Sequence, residues 1–463
     1  MIFYLDKDTQ ITTELISNLL QEHTTNERFS KQQELRDAYL GKYPILEVFK
    51  DTYKPNNKII ANYAKYITDT FCGFFDGKPL TVTSQNDTVN QALDNFNKIN
   101  STESLDFEII KNAAIFGNCF ELIYQDEEGN TRSTVIDPLQ AFIVYDDTAQ
   151  QSSMFGVCYR IDKKNNLSGE VYSRDAVYKF VGENTEVSSF TEIVPNKYSS
   201  VPLVEYKFNA ERQGVFENAL TAINAYNKAI SEKANDVDYF GDSYLKITNV
   251  ELGDTTDEQS IKDALEQLIK TLRENRIFYA PPSYGEDSKE PTIEFIEKPE
   301  ADNTQENLLN RLEKDIFHLS MVANISDETF GNASGVALQY KLLSMRNLAK
   351  NVERNIVKSL KRRYKLVFSF ATNLPQSLSN EWRTLEFNFY ENLPVNPLEI
   401  ANTLSSLGVQ VSEATALKLA GIDNPEEEFE RLKKEQEKDK ISLEFDFEKG
   451  GLNDEEQSAV LGG

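Results

Sequence analysis

Histidine is almost missing from this chain: His23 and His318 are the only two in 463 residues. Neither falls in an HxxxH or HExxH spacing, which excludes the usual His-rich metal sites. Cysteine is nearly as scarce. Cys72, Cys119 and Cys158 form no CxxC and leave an odd thiol, so no disulfide framework is expected and a reducing cytoplasm fits. No run approaches the roughly 18 consecutive apolar residues of a membrane span. The first eight residues, charged by Asp6, predict no signal peptide. Basic charge is also short: 49 Lys and Arg stand against 75 Asp and Glu, a net charge of −26. Proteins grip DNA by neutralising its phosphates, so the chain as a whole is no tight, non-specific DNA binder. Its acidity serves solubility, or a surface that DNA passes without adhering.

Catalytic motifs are missing as well. Gly73-Phe-Phe-Asp-Gly77-Lys78-Pro79 has three residues between its glycines where a phosphate loop has four. It also has Pro where Ser or Thr binds magnesium, and it follows a helix instead of a strand. Asp236-Val-Asp238-Tyr-Phe-Gly241 opens like a calcium loop, but Phe240 and Ile247 stand where oxygen ligands belong. No GxSxG occurs. His318 lies within an amphipathic helix and reads as a structural or interface residue. No catalytic residue, metal or cofactor is expected.

What is present is a large apolar complement, 40% of residues with 28 Phe and 21 Tyr, enough for real cores. Period-3.6 patterning predicts helices in the first ~75 residues, over Asn57–Phe75 in particular, and again at Thr88–Ile99 and Ser104–Phe116. From Cys119 to Phe208 the period changes to two, with Phe120, Leu122 and Tyr124 alternating first. Strands are expected at Ala141–Tyr145, Gly156–Ile161, Glu170–Tyr172, Val177–Val181 and Val201–Phe208, an antiparallel sheet within an α+β fold. A stripe of Ala219, Ile223, Tyr226, Ile230, Ala234 and Val237 predicts a long helix near Val215–Gly241. A second runs over Thr304–Val322 with Leu308, Leu312, Ile316 and Leu319 on one face. Between them lies a small α/β module: a helix from Asp257 to Arg273 and strands at Tyr244–Ile247, Ile277–Tyr279 and Ile293–Ile296. Two helices that leave a body and return to it make a stalk with a module at its tip.

Asn324–Gly335 (NISDETFGNASG) is polar and reads as a loop. Beyond Gly335 no Gly or Pro occurs before Pro375, which predicts a single helix of ~37 residues, ~55 Å long. Arg346, Lys350, Arg354, Lys358 and Arg362 recur on it at every fourth residue as a basic ridge. A strand at Leu385–Tyr390 and short helices at Pro397–Leu407, Ser412–Ala420 and Pro425–Lys438 follow. Residues 421–463 carry 14 acidic and 6 basic residues, and from Gly450 the tail has the composition of disorder.

Phe330-Gly331-Asn332-Ala333-Ser334-Gly335-Val336-Ala337-Leu338, followed by Lys341-Leu342-Leu343, resembles the portal proteins of long-tailed bacteriophages. Ile223-Asn224-Ala225-Tyr226-Asn227-Lys228 and Ala234-Asn235-Asp236 resemble the same family's stem helix. The resemblance covers about residues 56–372, in the family's order of helix, module, helix, loop and long helix.

That resemblance implies a wing (1–215), stem helices (216–241 and 304–323) around a clip (242–303), and a tunnel loop (324–335). A long helix (336–374), a crown (375–449) and an acidic tail (450–463) complete it. It implies a homo-oligomeric ring, a dodecamer in the virion, at one capsid vertex. Double-stranded DNA would pass through the ring without tight binding. The terminase large subunit, the major capsid and scaffolding proteins, and a head-completion or adaptor protein would be partners; a membrane would not. Ser326, Asp327, Glu328, Thr329, Phe330, Gly331, Asn332, Ser334 and Gly335 would line the channel. Phe330 would anchor the loop base or touch the neighbouring loop. The basic ridge would face the next subunit, or meet DNA or a partner. A non-channel adaptor or minor capsid protein is the alternative in the structural class. A metal-dependent hydrolase or nuclease is the alternative among enzymes, and no acidic cluster with a basic cleft can be assembled for one.

Overall fold

The computed structural model describes residues 2–50, 55–198, 200–240, 245–248, 292–295, 302–326 and 335–392, with isolated positions in 262–270 and 412–429. The chain divides into two units, Met1–Asn392 and Leu393–Gly463. The expected helix over 257–273 is described only in part, and the strand at 277–279 lies outside the described residues. So do the crown helices, apart from Ser412, Thr415 and Phe429, and the acidic tail.

The first unit opens with a short strand, β1 (Phe3–Leu5), where only helices are expected. Helices α1 (Thr13–Thr25) and α2 (Glu27–Tyr39) follow, each capped by a side chain: Thr12 accepts from the amide of Leu15 and Asn26 from that of Arg28. Helix α3 (Tyr63–Phe75), strand β2 (Lys78–Thr83) and helices α4 (Asp87–Asn100) and α5 (Thr102–Phe116) come next. Helix α5 stops at Gly117, whose φ of +87° closes it, and a Cβ there would collide with the Arg212 carbonyl.

Eight strands follow and, with β1, build two sheets: β3 (Asn118–Gln125), β4 (Thr131–Ile136), β5 (Ala141–Asp146), β6 (Ser153–Ile161), β7 (Asn166–Ser173), β8 (Ala176–Glu183), β9 (Glu186–Pro195) and β10 (Leu203–Lys207). One sheet has the order β1-β5-β6-β7-β8-β9, with β1 parallel to β5 and every other pair antiparallel. The other has the order β10-β3-β4 and is antiparallel. Strands β4 and β9 are additions to those expected from alternation; β9 (EVSSFTEIVP) has too many exposed polar positions to show an apolar period.

The large sheet buries Phe142, Val144, Phe155, Val157 and Val171 with Ile16, Leu19 and Leu20 of α1. Phe120, Leu122, Ile143, Val201 and Leu203 form a second cluster that joins the two sheets.

Helix α6 (Leu220–Phe240) and helix α7 (Asp302–Ser320) bracket a pair of antiparallel strands, β11 (Leu245–Thr248) and β12 (Thr292–Phe295). The order helix, strands, helix is as expected, but the buried faces are not. On α6 the buried line is Ile223, Asn227, Ser231 and Asn235, while Val237 is 63% exposed. The polar members sit there because they serve an extended segment before α3. Asn227 Oδ1 accepts from the Ala61 amide (2.9 Å), Ser231 Oγ from that of Ile59 (2.9 Å) and Asn235 Oδ1 from that of Asn57 (2.6 Å). A segment tied every second residue to a helix's every fourth cannot itself be helical, and α3 begins at Tyr63 instead of Asn57. On α7 the buried apolar side chains are Leu309, Ile316 and Phe317, and Leu308 and Leu319 are exposed.

The ~37-residue helix is two helices, α8 (Gly335–Lys341) and α9 (Leu343–Val367). The hydrogen bonds Leu342 N to Leu338 O and Arg346 N to Leu342 O run across the irregularity, so the two are nearly continuous. Helix α9 ends without Gly or Pro. Asn373 Nδ2 donates to the Val367 carbonyl (2.7 Å) and Ser369 Oγ to that of Leu366 (2.6 Å), which satisfies its last acceptors. Strand β13 (Glu386–Tyr390) pairs antiparallel with β2. Residues 375–392, grouped with the crown by their order in sequence, therefore belong to the first unit.

Candidate functional site: the long helix and its surroundings

Helix α9 buries Met345, Ala349, Val352, Ile356 and Leu360 along one face. Its firmest anchor is Arg363, which is fully buried. The guanidinium reaches Glu121 of β3 (Nε to Oε2, 2.9 Å) and Asp106 of α5 (2.6 Å). Glu121 also accepts from Tyr206 Oη of β10 (2.6 Å) and, closely, from Ser133 Oγ of β4. One arginine thus ties α9 to α5, β3 and β10, and Glu121 extends the network to β4. Burial disfavours its charge, but Asp106 and Glu121 outweigh burial and hold the guanidinium ionised. For Asp106, burial wins over Arg363 and its carboxyl is held above the usual range.

A second buried pair sits one strand away. Glu205 of β10 is gripped by Arg212 through two bonds (2.6 and 2.9 Å) and accepts from Tyr145 Oη (3.0 Å) and Asn118 Nδ2 (3.1 Å). Burial raises its pKa, and Arg212 more than reverses this, so the carboxylate stays charged. Arg28 of α2 closes the same corner. It pairs with Glu217 (2.6 Å) and donates to the Phe116 carbonyl (2.7 Å), at the entrance to α6.

The basic residues expected to form one ridge part company. Arg346 pairs with Glu391 (2.8 Å) and Lys350 with Glu353 (2.7 Å). Arg354 is exposed. Lys358 and Arg362 line a cleft of about 810 Å³ between α9 and the strand ends of the large sheet. Arg362 Nη2 donates to Ser153 Oγ and the Val201 carbonyl (both 3.0 Å). The cause is geometric. A step of four residues advances about 40° around a helix, so four steps carry Arg362 about 160° from Arg346.

The expected tunnel loop is described only at its ends. Asp327, Glu328, Thr329, Phe330, Gly331, Asn332 and Ser334 lie outside the described residues; Ser326 and Gly335 are within them. Met321 takes a positive φ of 59° and turns the chain off α7. Asn324 Nδ2 then donates to Glu313 (3.1 Å), and Ser326 Oγ meets Tyr66 Oη of α3 (3.0 Å). Beneath this turn Phe317 packs edge-on against Tyr63 and Tyr66 at 5.7 and 5.9 Å, and Tyr63 against Tyr226 at 5.1 Å. Three helices, α3, α6 and α7, therefore meet in an aromatic knot beneath the turn that follows α7. The knot is illegible in sequence because its members come from three distant segments.

Among the described residues no group of three or more His, Cys, Asp or Glu is placed to hold a metal. No described helix is long and apolar enough to cross a membrane. His23 is buried against Tyr159 (Nδ1 to Oη, 2.9 Å) and burial lowers its pKa to about 3. His318 is exposed on α7. The three thiols are unpaired.

The fold and this geometry define a structural protein: an α+β body, a pair of helices, α6 and α7, around the strands β11 and β12, and a long helix, α9, keyed to the body by buried charge. The chain belongs to the phage portal protein family of the SPP1 Gp6-like kind, whose family model matches residues 20–442. It is 23% identical to the portal protein of Bacillus phage SPP1 over 418 residues, which span 83% of this chain and 77% of that protein. It is 24% identical to the portal protein of Clostridium phage phiCD119 over 252 residues, 54% of this chain and 52% of that one. A solved structure titled the neck of an empty GTA particle, computed with C6 symmetry, aligns at a TM-score of 0.44 and 12% identity. It covers 78% of this chain and 90% of that one. The portal family is structural, and its members sit at the capsid vertex of the virion.

Proposed function

We propose that the chain forms a ring of about a dozen subunits at one capsid vertex, assembled in the host cytoplasm, and that it is a conduit with no catalytic activity of its own. Duplex DNA passes through the ring during packaging and ejection. Residues 326–335 lie against the DNA, and the 242–303 module receives the terminase and later the head-completion proteins. The observation that carries this is the family match over residues 20–442 together with the chain order α6, β11 and β12, α7, then α8 and α9. A net charge of −26 supports passage without adhesion, because each phosphate contact would be a friction point. Exposed Val237, Leu308 and Leu319 on the stalk helices support lateral association. An electron micrograph of the purified protein tests it. Rings with a central hole are expected; a monomer or dimer that cleaves DNA with magnesium would overturn the proposal.

A further inference from the structure

The cleft under the second half of α9 is a concentration of positive charge on an acidic protein. Arg174, Lys207, Lys358, Arg362 and Lys365 line it, against one carboxylate, Glu205. That carboxylate is already engaged by Arg212 through two bonds. Among the described residues, Arg174, Lys358 and Arg362 have no carboxylate partner. Arg362 is partly buried, and its two hydrogen bonds, both from Nη2, go to neutral oxygens. Its Nε and Nη1 protons remain for an acceptor.

A second observation is independent of charge. Tyr198 lines the same cleft, is only 8% exposed, and its hydroxyl has no hydrogen-bond partner among the described residues. A buried donor left unpaired costs about 1–3 kcal/mol. A phenol carries its proton at neutral pH, so this hydroxyl is a donor. Unused donors of both kinds thus line one concavity.

We infer that this cleft is a socket for carboxylate side chains presented by a second copy of this chain. The inference rests on the ring proposed above. Two arguments favour a protein carboxylate over DNA. The innermost donors, Arg362 and Tyr198, are recessed, and a flexible Glu or Asp side chain reaches them where a phosphate held in a stiff duplex does not. A second copy also brings an excess of 26 negative charges. A closed ring further requires two different, complementary surfaces on each subunit.

The test uses the full-length protein. Arg174→Glu with Lys358→Glu alters two exposed side chains. It should leave the melting curve unchanged and raise the concentration for half-assembly at least about tenfold, equivalent to 1.4 kcal/mol. Tyr198→Phe should also weaken assembly, yet leave the melting temperature equal or higher, since it removes an unsatisfied hydroxyl. A hexaglutamate peptide should bind the wild type, with affinity falling as salt rises, and should not bind the double variant. Normal assembly of the double variant, or undiminished peptide binding by it, would overturn the inference. So would loss of short-duplex retention with assembly intact, which would make the cleft a DNA contact. Should the wild type form no ring, the functional proposal fails, and the peptide titration still decides the socket on the monomer.

Discussion

Arg362 and Arg363 are consecutive residues of α9, and the regions they enter differ in one respect. Arg363 points into the body and meets Asp106 and Glu121, with Tyr206 and Ser133 completing the set around Glu121. Arg362 points into the cleft and meets a serine hydroxyl and a backbone carbonyl. Burying a charge costs several kcal/mol unless it is paired and hydrogen-bonded. In the core network Arg363 is paired with two carboxylates and its Nε is hydrogen-bonded to Glu121, while Nη1 and Nη2 have no hydrogen-bond partner among the described residues. In the cleft, which stays open to solvent, Arg362 is hydrogen-bonded but has no carboxylate partner among the described residues. The difference separates a charge that specifies a fold from a charge that remains available to a partner.

The sharpest way to break the comparison is Arg363→Met. It leaves Asp106 and Glu121 buried with no cation, and a loss of about 3–5 kcal/mol in folding stability is expected by denaturant titration. Adding Glu121→Gln should recover part of it; no recovery would mean that packing, not charge, is what the arginine supplies.

Next in size is the response to acid. His23 is buried neutral, with a pKa lowered by burial from 6.5 to about 3. Its contribution is therefore full above pH 6.5 and lost as pH falls toward 3, at up to about 1.4 kcal/mol per pH unit. His23→Gln should flatten the acid limb of a stability–pH curve, and an unchanged limb would place the acid sensitivity elsewhere.

Asp76 works in the opposite sense. Burial first, and then the Asp106 carboxylate, raise its pKa from 3.8 to about 7. Its folded form is favoured below pH 3.8, and that advantage is lost as pH rises through about 7. Asp76→Asn should therefore gain roughly 1–3 kcal/mol at pH 8 and nothing at pH 3.5.

The smallest effect belongs to Arg362→Met. Two hydrogen bonds are lost together with a charge that has no counter-ion, so stability should move by no more than about 1 kcal/mol. A loss equal to that of Arg363→Met would erase the distinction between the two regions.

Much of the fold is legible in the chain. The periodicity locates α4, α5, both stalk helices and most strands of the large sheet to within a few residues, because those elements bury continuous apolar faces. Gly117 marks the end of α5 because its backbone requires a positive φ. The failures share a cause. The buried line of α6 is Asn227, Ser231 and Asn235, which an apolar count discards. The ridge from Arg346 to Arg362 looks straight only if a turn of 3.6 residues is rounded to 4. Arg363, the one basic residue of α9 that is fully buried, falls outside that spacing.

Composition and pattern by themselves determined that this is an acidic α+β chain with two long helices on either side of a pair of strands and a further long helix after a polar segment, and the FGNASGVAL segment pointed to its family. Those properties follow from local spacing and total charge, which need no partner in space. Tertiary structure alone decided which arginine is spent inside the body and which remains unpaired, and which polar side chains of α6 hold the chain before α3. It also decided where the cleft lies. The physical reason is that the cost of a buried charge or donor depends on what faces it, and the facing groups here lie up to 242 residues away in sequence.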